Sequence, residues 1–230
     1  MENLQQRRQA QLAWQTLAAA NQATAVQLAE TLQTRGLADV AAYINRSSRG
    51  VVVTTLHGGD YLLALLRLRL ALGNRRRILV VRKKAPSKLE KAVFDRIGQG
   101  TDLEVVRHEE KRAIRLVRAL RQGHLVVALF DLPASYGPTA EVSLLGQSMH
   151  LVRGPAELAV LGEADIIPMV AWRNGPLPHM ACLPPLRPAA VETACRQLAE
   201  IATGYILAQP AQWQHWFHIP EMLAPPGKWS

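Results

Sequence analysis

Residues 50–63 read GVVVTTLHGGDYLL. Five β-branched residues in succession, Val51 to Thr55, fit a strand buried on both faces of a sheet, as in parallel α/β folds. The run stops at His57, two glycines follow, and from Asp60 a second apolar segment opens with helical length. A strand that feeds a helix places the junction at the carboxyl edge of a sheet, where open α/β folds bind ligands. His57 is therefore a candidate general base. Asp60, one helical turn on, is the candidate carboxylate to hold its tautomer. Gly58 and Gly59 would let a substrate approach the backbone and would offer N–H groups to an oxyanion or a phosphate. A structural alternative stands beside this one: Asp60 as a helix-start acid favoured by the dipole, and His57 as an ordinary satisfied histidine.

Working outward, the same alternation continues. RRILVVR and LEVVR read as strands, residues 86–98 and 109–122 as helices, and HLVVALFD as a further buried strand, giving a βαβαβαβ series. Two short strand signals follow, then a helix near 155–161, the strand DIIPMVAW, a Gly-Pro turn and a closing strand. A helix over about 190–208 precedes an aromatic tail whose prolines forbid a long helix. Residues 2–34 lack Gly and Pro and scatter leucines among polar residues, which predicts one or two amphipathic helices, ended by Gly36. The expected fold is α/β: a central, mostly parallel sheet flanked by helices. A helical segment over 1–48 precedes the main domain over 49–230.

The 230 residues carry a net charge of +9, and residues 67–91 alone supply that excess, with ten basic side chains against Glu90. The rest of the chain is balanced, so an anionic partner is expected beside the His57 segment. Lipid headgroups, phosphopantetheine, coenzyme A or nucleic acid would satisfy the field. Nucleic acid fits poorly, because no aromatic residue interleaves with the basic run. A solvated basic face is the plain alternative. The longest apolar stretch, YLLALLRLRLAL, contains Arg67 and Arg69 and is too short to span a bilayer. No secretory signal is evident, which points to the cytoplasm. Cys182 and Cys195 fit neither a zinc motif nor a disulfide scaffold, and His215 and His218 lack a neighbouring acid in sequence, so no metal site is expected. No G-x-S-x-G elbow and no P-loop lysine are present, leaving direct attack on an acyl donor assisted by one base.

The blocks GVVVTTLHGGDYL, LVVRKK, ALRQGHLVVALFDLPASYG, GPAELAVLGEADIIPMVAW and PAQWQHWFH, in that order from Gly50 to Trp216, resemble the bacterial lipid A biosynthesis acyltransferases of the lysophospholipid acyltransferase superfamily. The resemblance implies a glycerolipid-acyltransferase-like fold and acyl transfer from an acyl thioester, on acyl carrier protein or coenzyme A, to a hydroxyl or amine, with no cofactor beyond that donor. It implies His57 as base, Arg82 as a substrate-contacting arginine, Asp131 as a residue shaping the loop beside the cleft, and Arg153 as a contact for donor phosphates. The family's acid falls five residues after its histidine, where this chain has Leu62, and Asp60 is the candidate substitute. Ala211 replaces a glutamate, and Trp216 and His218 are displaced by one residue, so no catalytic role passes to them. The family's apolar membrane anchor has no counterpart in the polar first helices. A cytoplasmic enzyme, or one peripheral to the inner membrane, is the expectation. It would act on a carrier-bound or specialised-metabolite acceptor and could touch an anionic membrane surface. The alternative is a family member that has lost catalysis with its acid and binds an anionic lipid or a carrier protein.

Overall fold

The computed structural model describes residues 2–107 and 110–223. Position 109 of the expected third helix and positions 224–230 of the aromatic tail lie outside them. The helical start comprises α1 (Glu2–Ala19), α2 (Gln22–Glu30) and α3 (Leu37–Arg46), interrupted by a short strand β1 (Gln33–Arg35). The alternating region follows as β2 (Val51–Thr55), α4 (Tyr61–Leu72), β3 (Ile78–Arg82), α5 (Lys88–Gly98), β4 (Leu103–Arg107), α6 (Glu110–Arg121) and β5 (Leu125–Leu129). A hairpin β6 (Thr139–Leu144) and β7 (Gln147–Val152) forms a separate two-stranded sheet. Then come α7 (Gly154–Leu161), β8 (Asp165–Asn174), β9 (Leu177–Cys182), α8 (Val191–Ala208) and the short α9 (Ile219–Leu223).

The main sheet has seven strands in the order β1-β9-β8-β2-β5-β3-β4. From β8 to β4 all neighbours are parallel, while β9 runs antiparallel to β8 and takes β1 with it. The α/β reading with a mostly parallel sheet is what the structure has. β2 lies between β8 and β5, and all five of its residues are buried, as a strand covered on both faces requires.

Successive residues of β2 alternate between two cores. Val51 and Val53 join Leu17, Ala25, Ile44, Leu66 and Val93 on the face covered by α1–α5, whereas Val52 joins Leu116, Leu120, Ala156, Ala199 and Ile206 under α6–α8. The first 48 residues are thus built into one of the two cores and contribute the edge strand β1. That strand has three exposed residues and no hydrophobic alternation, so its sequence carried no strand signal.

Much of the basic run between residues 67 and 91 is structural. Arg76 donates to the carbonyls of Arg49 (2.7 Å), Gly123 (2.8 Å), Ile44 (2.5 Å) and Ser47, tying the end of α3 to the turn before β5. Arg69 is buried and donates to the carbonyl of Gln99. Arg77 pairs with Asp102 and Glu104, and Lys91 with Asp95. Of the others, Lys83 and Lys84 follow Arg82 at the end of β3.

Candidate active site

His57 sits beyond the carboxyl end of β2, and its carboxylate partner is not Asp60. Its Nδ1–H donates to Oδ1 of Asp131 at 2.9 Å, and its backbone N–H donates to Oδ2 of the same residue at 2.8 Å. Asp131 follows β5, the neighbour of β2 in the sheet, so the parallel pairing of Val51–Thr55 with Leu125–Leu129 brings the two side by side. The Nδ1 proton is thereby fixed, and Nε2 carries the lone pair. The imidazole remains partly exposed, at 20%.

Asp131 is fully buried and holds three donors on its carboxylate, the third being the indole Nε1–H of Trp213 at 2.9 Å. Burial alone would raise its pKa. The positive charge that His57 and His215 can carry, together with the hydrogen bonds from His57, outweighs burial and holds the carboxyl well below its usual range. Asp131 is thus a permanent anion against His57, a closer part than the loop-shaping one expected of it.

His215 completes the cluster. Its ring stacks on that of His57 with centroids 4.0 Å apart, and its Nδ1–H donates to the backbone carbonyl of Asp131 at 2.8 Å. Burial, helped by the charges of His57 and His218 and opposed by Asp131, pushes its pKa down to about 4, so it stands neutral at physiological pH. His57, Asp131 and His215 present potential ligand atoms within 4.8 Å of one another. Each nitrogen facing Asp131 already donates to it, so a divalent ion bound among these atoms would have to displace both protons.

Asp60 faces elsewhere. It is buried and lies 2.6 Å from Nε of Arg173 on β8, in a charge pair whose geometry falls off the line of a directed hydrogen bond. Burial raises its pKa even against the arginine. The residue three after a strand-end histidine reaches back toward it only if the helix starts at once. Here α4 begins at Tyr61, and Gly59 takes a left-handed φ of 51° that turns Asp60 away.

The glycine N–H groups are occupied as well. Gly58 N–H donates to Leu56 (2.9 Å) and Gly59 N–H to Gln212 (3.4 Å), while Gln214 N–H donates back to the carbonyl of His57 (2.8 Å). The expected oxyanion donors are therefore spent inside the protein, Gly58 N–H within its own turn and Gly59 N–H, with Gln214 N–H, on clamping residues 212–214 against the His57 loop. A side chain at Gly58 would overlap the Tyr205 hydroxyl, and one at Gly59 the backbone at Ala171 and Trp172. The two glycines admit other parts of this chain rather than a ligand.

His57 opens onto a cavity of about 350 Å³. Val81, Arg82, Lys83 and Lys84 line it from the end of β3, and Ala128, Leu129 and Leu132 from the end of β5. Its α6–α7 side is largely apolar, with Leu116, Val117, Leu158 and Leu161 beside the single charged residue Glu157. Arg82 borders the cavity but is paired with Glu90 at 2.6 Å. Lys83 lies over the Tyr136 ring and donates to the Ser135 carbonyl. Arg153 precedes α7, pairs with Glu157 at 2.8 Å, and is not among the cavity's lining residues.

A histidine–aspartate pair at the carboxyl edge of a parallel sheet, with the aspartate buried and the histidine open to a cavity that has a largely apolar wall, suits acyl-group chemistry. Comparison with known families agrees: the sequence profile of the bacterial lipid A biosynthesis acyltransferases matches residues 5–219. The chain belongs to this family. It is an acyltransferase of the lipid A acyltransferase kind. No curated protein shows significant similarity to it.

In this member of the family, Leu62 is buried in the core rather than facing the histidine as an acid. Trp213 and the cavity residue Trp14 were not singled out by sequence reasoning, and His215 was weighed there only as a metal ligand with His218. Trp213 and His215 lie within PAQWQHWFH, a block that signals its place in the family without saying which of its aromatic residues turn inward. Trp216 Nε1–H donates to Pro210, and His218 pairs with Glu221, so neither touches the pair. No described helix is long and apolar enough to cross a membrane.

Proposed function

We propose that the protein transfers an acyl chain from an acyl thioester, carried by acyl carrier protein or coenzyme A, to a hydroxyl or amine, with His57 as general base. The observation that carries this is the fixed tautomer: Asp131 holds the Nδ1 proton of His57 while the ring borders the cavity. The acceptor's O–H or N–H would give its proton to Nε2 as its heteroatom attacks the thioester carbonyl. Collapse of the tetrahedral intermediate breaks the C–S bond, and the imidazolium returns the proton to the departing thiolate. Asp131 stabilises that imidazolium without itself taking a proton. The Gly58 and Gly59 N–H groups, being engaged, do not supply the oxyanion donors.

The apolar α6–α7 wall would hold the acyl chain. Lys83 and Lys84 would meet the phosphate of the donor's pantetheine arm, with Arg82 available only when Glu90 releases it. Such chemistry needs no cofactor beyond the donor. It suits a cytoplasmic protein, or one at an anionic inner-membrane surface, with a carrier-bound or specialised-metabolite acceptor. The non-catalytic alternative rested on the missing acid at Leu62, and Asp131 removes that motive.

The test is mass spectrometry of the protein incubated with acyl-coenzyme A and acyl-pantetheine donors of graded length together with a panel of small hydroxyl and amine acceptors, beside folded His57→Ala. Loss of thioester consumption in the variant is the expected result. Equal consumption by both would end the mechanism.

A further inference from the structure

A hydrogen bond at Nδ1 fixes the tautomer of His57 but does not by itself fix the plane of the ring, and a general base needs its lone pair aimed as well as free. Three successive residues of the C-terminal segment close on the pair. Trp213 donates its indole N–H to the Asp131 carboxylate (2.9 Å), and Gln214 donates its backbone N–H to the His57 carbonyl (2.8 Å). His215 touches both members at once. Its Nδ1–H donates to the Asp131 carbonyl at 2.8 Å, and its ring lies on that of His57 with centroids 4.0 Å apart and planes 20° from parallel.

His215 is buried, at 7% exposure, and is not among the residues that line the cavity. It is therefore placed to act on His57 and Asp131 rather than on substrate. Its own ring is held from further sides by the rings of His218 (4.9 Å) and Phe217 (5.9 Å), both crossing it steeply. Burial keeps it neutral. An uncharged aromatic face beside the ring that becomes imidazolium tolerates that charge, where a second cation would oppose it.

We propose that His215 is a positioning residue for acyl transfer: its flat face sets the plane of the His57 imidazole, so that Nε2 presents its lone pair to the cavity, while its Nδ1–H holds the Asp131 backbone in the matching place. The proposal rests on the acyl-transfer reading and adds a third member to the His57–Asp131 pair, one that works through His57. A misdirected lone pair slows proton transfer in the transition state without weakening the hold on the donor. The effect therefore belongs in kcat and not in KM.

The test compares three variants of the full chain. His215→Ala removes the face and the N–H, His215→Leu fills the space without a flat face, and His215→Phe returns the face without the N–H. Two readouts are taken: kcat and KM for thiol release from the acyl-coenzyme A donors, per folded protein, and the ¹⁵N imidazole spectrum of His57, assigned with His57→Ala, which reports which ring nitrogen holds the proton. The expected result is a kcat about tenfold to a hundredfold lower in His215→Ala and His215→Leu with KM within about twofold of wild type, and recovery of most of that loss in His215→Phe. The His57 spectrum should show a mixed tautomer in the first two variants. Lower stability with kcat and the His57 spectrum unchanged, a loss confined to KM, or a His215→Phe no more active than His215→Leu overturns the proposal. If His215→Ala does not fold, His215→Leu against His215→Phe decides. Failure of the acyl-transfer reading appears separately, as absent thiol release by the wild type, and the His57 spectra then decide on positioning alone.

Discussion

Asp131 accepts two hydrogen bonds from His57, one from the ring and one from the backbone, across 74 residues of sequence. One carboxylate thus fixes both where the imidazole stands and which nitrogen is free. Asp131→Asn puts an amide N–H against at least one of the three donors, so the ring loses its fixed tautomer. Turnover of an acyl thioester should fall about 10²- to 10⁴-fold. Asp60→Asn should keep turnover, because Asp60 serves Arg173 instead. Its cost is stability, about 3–5 kcal/mol by urea denaturation for a buried pair broken on one side, and Asp60→Leu combined with Arg173→Met should recover most of it. Equal turnover in wild type and Asp131→Asn would remove Asp131 from the mechanism.

The cluster makes stability depend on pH in a stated direction. Burial holds His215 neutral in the fold down to about pH 4, against an ordinary value of 6.5. As pH falls from 6.5 toward 4 the unfolded chain takes up a proton that the fold refuses, so stability is lost across that window, by on the order of 3 kcal/mol. Asp131, depressed below the usual carboxylate range, adds a further loss as pH drops below about 4. Asp60, with its raised value, runs the other way, losing stability as pH rises through the window above 3.8. His215→Phe keeps a stacked ring without the titration. The difference in unfolding free energy between wild type and this variant should therefore change between pH 7 and pH 4.5, and a constant difference would refute the assignment.

Gly58 is required by packing rather than by an oxyanion. A Cβ there meets the hydroxyl of Tyr205, which itself donates to the carbonyl of Ala171 at 2.7 Å. Gly58→Ala should cost about 1–3 kcal/mol through overpacking. Removing the obstructing hydroxyl with Tyr205→Phe in the same chain should return part of that loss. Additive losses in the double variant, measured by thermal unfolding, would contradict the contact.

The basic residues divide into two kinds. Arg76→Ala strips donors from four backbone carbonyls and should lower stability by about 2–4 kcal/mol, with no effect on the salt dependence of donor binding. Lys84→Ala should do the reverse: an unchanged melting temperature, a KM for the phosphate-bearing donor raised about threefold to tenfold, and a shallower salt dependence. Titrating KM against sodium chloride for the two variants separates them.

The β2–α4 junction was legible in the sequence because both of its signals are local. A run of β-branched residues has no better conformation than a doubly buried strand, and His57 marks where that strand ends. The helices and strands after it followed from the same periodicity, and the excess positive charge could be assigned to residues 67–91 by counting. The identity of the partner carboxylate was not available in this way. Asp60 is three residues from His57 in the chain, yet the turn at Gly59 sends it to Arg173, while Asp131 reaches His57 because β2 and β5 pair in parallel. Strand β1, the inward turn of Trp213 and His215, and the presence of Trp14 beside the cavity likewise depend on which segments the sheet brings together. Local sequence encodes backbone conformation and the face a side chain prefers; which remote group meets that side chain is decided only when the strands find their order.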